Sequence, residues 1–180
     1  MVLSLPPLTL VLGGAASGKS DYAERLAAAT GRPMLYVATA QAHDGEMSAK
    51  IARHQARRGA GWRTVEAPLD ATPALTTADS AEVILFDCAT MWLSNHLLSG
   101  AFLPDAETGL IAALSNCTAP VVIVSNEVGA GIVPDNALAR QFRQAQGELN
   151  QRLAQRADLV VTVMAGLPMT LKGQLPDDAP

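Results

Sequence analysis

The sequence predicts an α/β fold, a mostly parallel sheet with helices on both faces. Three observations predict it. Short apolar runs recur along the chain, helical patterns lie between several of them, and the first run leads into a glycine-rich segment that opens a helix. The runs are "LTLVL" (8–12), "MLYVAT" (34–39), "EVILFD" (82–87), "PVVIVS" (120–125) and "LVVTVM" (159–164). They are nearly continuous in hydrophobicity, which is how strands covered on both faces read.

After the first run, Tyr22, Leu26 and Ala29 space one face of a helix. Before the last, Leu138, Phe142, Ala145, Leu149 and Leu153 form a helical stripe. Pro134-Asp135 precedes it as a start signal, with Asp135 as the expected N-cap. His96, in "WLSNHLL", falls in an amphipathic helical pattern, and His43, in "QAHDGEM", in a loop. Segments 67–80 and 99–109 read as connections that can enclose a short helix, and 173–180 as a loose tail. The 180 residues suit a single nucleotide-binding domain, 1–180, with no internal repeat.

Composition narrows the partners. A hydrophobic content of 49% with 17% charged residues describes a folded globule. A formal charge of -4 gives no general attraction to nucleic acid or acidic membranes, so anion binding must be local. No segment reaches ~18 uninterrupted apolar residues, so no membrane insertion is expected. The apolar N-terminus has no Lys or Arg before it and contains two prolines, unlike a secretory signal. Cys88 and Cys117 lack metal-ligand spacing and read as free thiols of a reducing compartment, the cytoplasm.

The segment after the first strand carries the strongest signal. Gly13, Gly14, Ala15, Ala16, Ser17, Gly18, Lys19 and Ser20 fit the P-loop pattern G-x-x-x-x-G-K-[ST]. Glycines let the backbone wrap phosphates, and successive N–H groups with the following helix N-terminus face the anion. Lys19 supplies a charge to the β- and γ-phosphates, and the Ser20 hydroxyl can ligand Mg²⁺. A chance match in a chain this long has a probability on the order of one per cent. A partner acid belongs at a neighbouring strand end, and Asp87 closes "VILFD". Glu127 follows "VVIVSN" and is a second acid at a strand end. The guanine-recognition and switch signatures of a signalling GTPase are missing. That leaves small-molecule kinases, nucleotidyl transferases and ATP-driven machines.

The stretch "KIARHQARRGAGW" (50–62) sets His54 among Lys50, Arg53, Arg57 and Arg58. One reading is a solvated basic face with an incidental histidine. The other is a nucleophile. A neutral imidazole can attack phosphorus, and surrounding cations disfavour imidazolium and stabilise a leaving pyrophosphate.

Taken together these pieces resemble one family, the bifunctional adenosylcobinamide kinase / adenosylcobinamide-phosphate guanylyltransferase of cobalamin biosynthesis. The matching stretches are "GGAASGKS" (13–20), "YVATAQAHDGEM" (36–47), "IARHQARRGAGWRTVE" (51–66), Asp87-Cys88, and the segment from "SNEVGAGIVP" through "AQRAD" (125–158). The resemblance implies a RecA-like P-loop NTPase fold and a homotrimer or other homo-oligomer. It implies phosphorylation of adenosylcobinamide with ATP or GTP, with Mg²⁺, followed by GMP transfer from GTP through a guanylylated histidine. The products are adenosylcobinamide-GDP and pyrophosphate. His54 matches the guanylylated position, and Lys19 is the second catalytic residue. Nucleotide contacts map onto Thr39, Ala40, Gln41, Gln55, Ala56, Arg57, Arg58, Glu66 and Asp87, and metal contacts onto Ser20 and Asp87. Ala16 stands where the family often has Arg, and Arg53 where some members have a second histidine. The alternatives are a P-loop kinase of another metabolite without a covalent intermediate, and a non-enzymatic nucleotide-gated binding module.

Overall fold

The structure, a computed structural model, describes residues 3–41, 61–100 and 102–180. Expectations that fall on 42–60, among them His43, His54, Gln55, Ala56, Arg57 and Arg58, lie outside the described residues.

The elements run β1 (Leu8–Gly13), α1 (Lys19–Ala28), β2 (Met34–Ala38), β3 (Trp62–Glu66), α2 (Thr72–Thr76), β4 (Val83–Asp87), α3 (Ala89–Ser99), α4 (Leu103–Asn116), β5 (Val121–Asn126), α5 (Ala137–Arg156), β6 (Leu159–Met164) and β7 (Leu167–Lys172). The strands form a seven-stranded sheet among the described residues, in the order β3-β2-β4-β5-β1-β6-β7. All pairings are parallel except β6 with β7. The five apolar runs are the five inner strands, each within one residue of its expected limits.

The two edge strands were not expected. In β3, "WRTVE", every residue is exposed or half-buried, so no apolar run announces it. In β7, "LPMTLK", Pro168 cannot donate to a ladder and is tolerated because the strand is an edge. Two connections also hold helices. Pro73 and Pro104 sit in the first turn of α2 and α4, where proline costs no hydrogen bond. The cap of α5 is corrected by one residue. Asn136, not Asp135, is the N-cap, and its side chain accepts from the Ala139 N–H at 2.7 Å. Asp135 instead offers its carbonyl, with that of Pro134, to the Arg140 guanidinium.

Period-2 alternation divides the sheet into two apolar layers. Leu10, Val37, Ile84, Phe86, Val121 and Ile123 pack under α2, α3, α4 and α5. Val11, Tyr36, Leu85, Val122, Val124 and Val161 pack against Tyr22, Ala23 and Leu26 of α1. Leu175 and Ala179, in the stretch expected to be a loose tail, pack against this second layer. No helix among the described residues is long and apolar enough to cross a membrane.

Candidate active site

The P-loop joins the carboxyl end of β1 to the first turn of α1. A Cβ on Gly13 would lie 2.7 Å from the Val163 carbonyl oxygen and would strike Ser17 Oγ, so the strand can turn here only without a side chain. Gly18, at φ +92°, is the left-handed residue that admits the chain into α1, and it lies against Gly166. The Ser17 N–H donates to the Gly14 carbonyl at 3.3 Å. Lys19 reaches back along the loop and donates to the same carbonyl at 3.0 Å, with 9% of its surface exposed. The β6–β7 turn braces the loop from outside, through Gly166 N–H to the Ser17 carbonyl at 2.8 Å.

The sheet register brings the strand-end acids to the same side. Asp87 shares its face with Val83 and Leu85, which pack against α1. The Tyr36 hydroxyl donates to its carboxylate at 2.9 Å. Glu66 pairs with Ala38, which pairs with Asp87, so both acids stand at the carboxyl edge. Open α/β sheets bind ligands at this edge. Between β4 and β1 lies β5, whose Asn126 pairs in register with Gly13.

Other expected residues are placed differently. Thr39 is fully buried. Its hydroxyl donates to the Cys88 carbonyl at 2.8 Å and accepts from the Cys88 N–H at 2.7 Å. Its N–H donates to the Asp87 carbonyl, and its own carbonyl receives Asn95 Nδ2 at 2.8 Å. Thr39 therefore ties the ends of β2 and β4 together. Ala40 and Gln41 follow at the surface. Glu127 turns its carboxylate onto its own loop, accepting from Gly129 N–H at 2.6 Å and Ala130 N–H at 3.3 Å, and its N–H donates to the Gly13 carbonyl. His96 lies inside the helical layer, with Nε2 donating to the Leu69 carbonyl at 3.0 Å and its ring on Trp92. Cys88 is a free thiol, and burial, with the neighbouring Asp87 carboxylate, pushes it up to about 11.

The donor chemistry suits Mg²⁺. Among the described residues no three His, Cys, Asp or Glu come together as a dedicated cage. Mg²⁺ on nucleotide phosphates needs only one or two protein oxygens and keeps waters. Ser20, in the first turn of α1, and Asp87 are hard oxygen donors of that kind.

Two residues of the site do not stand out in the sequence: Tyr36, which orients Asp87, and Asn126, which lies between the P-loop strand and the Asp87 strand. Nothing local in the sequence announces them, because both depend on strand order.

Residues 9–171 match the family of cobinamide kinase / cobinamide phosphate guanyltransferase. The chain belongs to this family. It is an enzyme of the bifunctional kinase and guanylyltransferase type in cobalamin biosynthesis. Among cobinamide kinase / guanyltransferase relatives, it is 46% identical over 168 residues to the bifunctional adenosylcobalamin biosynthesis protein CobP of Pseudomonas aeruginosa, covering 92% of this chain and 97% of that one. It is 43% identical over 184 residues to the bifunctional adenosylcobalamin biosynthesis protein CobU of Salmonella typhimurium, covering 92% and 99%.

Solved structures show the fold of this family member. A type III secretion ATPase of pathogenic bacteria superposes with a TM-score of 0.53 at 12% identity, over 91% of this chain and 56% of that one. The assembled ATPase EscN of enteropathogenic E. coli gives 0.55 at 12%, over 88% and 43%. The architecture is thus the mostly parallel α/β fold of a P-loop NTPase, as the family resemblance implies.

Proposed function

We propose that one nucleotide-binding domain, residues 1–180, carries both reactions at the carboxyl edge of β1, β5 and β4. ATP or GTP is held by the loop from Gly13 to Ser20. Lys19 and the loop N–H groups stabilise charge on the phosphates as the γ-phosphoryl group moves to the cobinamide hydroxyl. Ser20 and Asp87 hold Mg²⁺, which supplies charge neutralisation to the phosphates when bound. Tyr36 fixes the Asp87 carboxylate for that task. Glu66, on the same edge, is a nucleotide contact, as are Ala40 and Gln41 beyond β2. Thr39 serves the nucleotide indirectly, through the β4 end that it secures. The observation that carries this reading is the P-loop with Lys19 folded along it, on the same side of the sheet as Asp87.

The second reaction runs through His54. A neutral imidazole nitrogen bonds to the α-phosphorus of GTP as the bond from that phosphorus to the bridging oxygen breaks, and pyrophosphate leaves. A phosphate oxygen of cobinamide phosphate then attacks the same phosphorus and releases the imidazole, giving adenosylcobinamide-GDP. Gln55, Ala56, Arg57 and Arg58 accompany the histidine as nucleotide contacts. The protein works in the cytoplasm as a homotrimer. An exposed apolar stripe on β7, Leu167, Met169 and Leu171, supports an assembly that covers it.

The test is incubation with GTP labelled at the α- or the γ-phosphate. The expected result is an acid-labile protein adduct that carries α-label only and disappears in His54→Ala. A γ-label on the protein, or turnover without any adduct, rejects the guanylyl-histidine and leaves a simple kinase.

A further inference from the structure

Asn126 is the last residue of β5, the strand between β4 and β1. Its side chain faces the α1 side of the sheet. Val122 and Val124, two and four residues earlier, pack in the α1 layer, whereas Ser125 turns the other way and bonds to Asn150 and Gln146 of α5. The register sets Asn126 beside Gly13 on one flank, and Asp87 beside Val124 on the other. The order along the carboxyl edge is therefore Asp87, Asn126, P-loop, all on the face that carries Lys19 and Ser20.

The backbone of Asn126 is held from two helices. Thr90 Oγ1, at the start of α3, accepts from its N–H at 2.8 Å, and Asn150 Nδ2, on α5, donates to its carbonyl at 2.9 Å. Asn150 is held in turn, its Oδ1 accepting from Ser125 Oγ at 2.6 Å and from Gln146 Nε2 at 2.9 Å. Gln146 and Ser125 are fully buried. The strand end is thus fixed, and with it the point from which the side chain projects. That side chain is half-buried. Among the described residues its carboxamide has no hydrogen-bond partner, whereas those of Asn95 and Asn150 are bonded inside.

We propose that the Asn126 carboxamide binds the terminal phosphoryl group of the nucleotide held by the P-loop. The loop and its Lys cradle the β- and γ-phosphates at the end of β1, and Asn126 is the neighbouring strand end, in register with Gly13. A neutral carboxamide offers two N–H donors to phosphate oxygens and one acceptor to the attacking hydroxyl. It adds no negative charge next to Asp87. A carboxylate at this position would repel the phosphate, and an apolar residue would leave the oxygens without donors. Hydrogen bonds that strengthen as charge develops on the moving phosphoryl group make the loss of this carboxamide fall on turnover more than on nucleotide binding. The proposal rests on the reading of the P-loop as the kinase's triphosphate site.

Two measurements on the full chain test it. In the first, the assigned Asn126 side-chain amide resonances of the wild-type protein are followed with Mg²⁺-ADP and with the Mg²⁺ complex of a non-hydrolysable ATP analogue. They should move with the analogue and stay within the ADP-bound range without the γ-phosphate. In the second, Asn126→Ala should lower kinase kcat on the order of 100-fold while the Kd for ATP changes less than about threefold. Asn126→Asp, nearly isosteric, should lose at least as much. Resonances blind to the γ-phosphate, an unchanged kcat, or a loss shared equally by ADP and ATP affinity would each overturn the proposal. A wild-type protein that does not phosphorylate cobinamide would instead overturn the proposed function, and the resonance experiment would still decide the role of Asn126.

Discussion

The two faces of the sheet are built from alternate residues of the same strands, yet they do different work. On the face under α2, α3, α4 and α5, polar groups bond to one another inside the protein. Thr39 closes on Cys88 and Asn95, and Ser125 on Gln146 and Asn150. On the face of α1, the apolar layer ends at Val11, Val124, Leu85 and Tyr36, and the strands finish in Gly13, Asn126, Asp87 and Glu66. One face is a scaffold that fixes backbone positions. The other presents side chains at those positions. The period of two in a strand is what lets five residues serve both purposes.

The largest expected effect separates the faces most sharply. Lys19→Ala should lower kinase turnover on the order of 1,000-fold, because the charge it brings to the phosphates matters most in the transition state. Steady-state assays with saturating nucleotide check it. Thermal unfolding without nucleotide should be nearly unchanged. A large fall in Tm would mean that this lysine belongs to the scaffold and would blur the division.

The scaffold face should show the converse. Leu149 of α5 is fully buried in the larger core layer. Leu149→Ala should cost about 3 kcal/mol of stability through lost burial and a residual cavity. Denaturant unfolding measures that. The kcat of the protein that remains folded should stay within about twofold, since the substitution removes core contacts and leaves the Gln146 and Asn150 hydrogen bonds to β5 in place. A kcat that falls with stability would show the two faces to be coupled.

Tyr36 sharpens the comparison at a single hydrogen bond. Tyr36→Phe keeps the packing against Trp62 and removes the hydroxyl that donates to Asp87. The Mg²⁺ concentration that half-saturates the kinase should rise about tenfold, the usual scale for loss of an orienting partner behind a metal ligand. No change in Mg²⁺ dependence would remove Asp87 from the metal site.

How much of this was legible beforehand follows from the same geometry. The five inner strands read clearly because both of their faces are covered, which leaves a continuous apolar run. The edge strands β3 and β7 did not, since neither is buried on both sides and Pro168 interrupts one of them. Helix α4 was legible only as a short helix within a connection, because Pro104 looks like a loop residue and sits in a first turn. The P-loop and Asp87 were readable because each is a local signal, a spacing or an acid after a strand. Asn126 and Tyr36 were not, because their importance arises from the order β2-β4-β5-β1, which no local window contains. Thr39 came from the family pattern, and its hydrogen bonds assign it to the scaffold side.

Cys88 stands where the faces meet, and its titration reports on the junction. Burial first, then the Asp87 carboxylate, raise its thiol from an ordinary value of 9.0 to about 11. A raised thiol value means that the folded protein keeps its proton where the unfolded chain has lost it. The contribution is complete below pH ~9 and is lost as pH rises toward ~11, at up to about 1.4 kcal/mol per pH unit. Tyr22 and Cys117 are also raised by burial and act in the same direction. The difference between wild type and Cys88→Ser isolates the one thiol. Unfolding free energies at pH 8 and pH 10 should diverge by about 1 kcal/mol between the two proteins. Parallel pH profiles would mean that the thiol is not enclosed beside Asp87.

The smallest effect is expected where the P-loop meets its external brace. The β6–β7 turn holds two consecutive left-handed residues, Ala165 at φ 52° and Gly166 at φ 79°. Two-residue hairpin turns of this hand favour glycine or asparagine, because a Cβ crowds the backbone there. Ala165→Gly relieves that crowding and loosens the unfolded chain, two effects of opposite sign. The net gain should be about 0.5 kcal/mol, read as a small rise in Tm. The turn bonds to the loop through the backbone N–H of Gly166, so nucleotide affinity should not move. An affinity that did change would show that the conformation of the turn, beyond its hydrogen bond to Ser17, shapes the phosphate cradle. The brace would then count as part of the working face instead of its support.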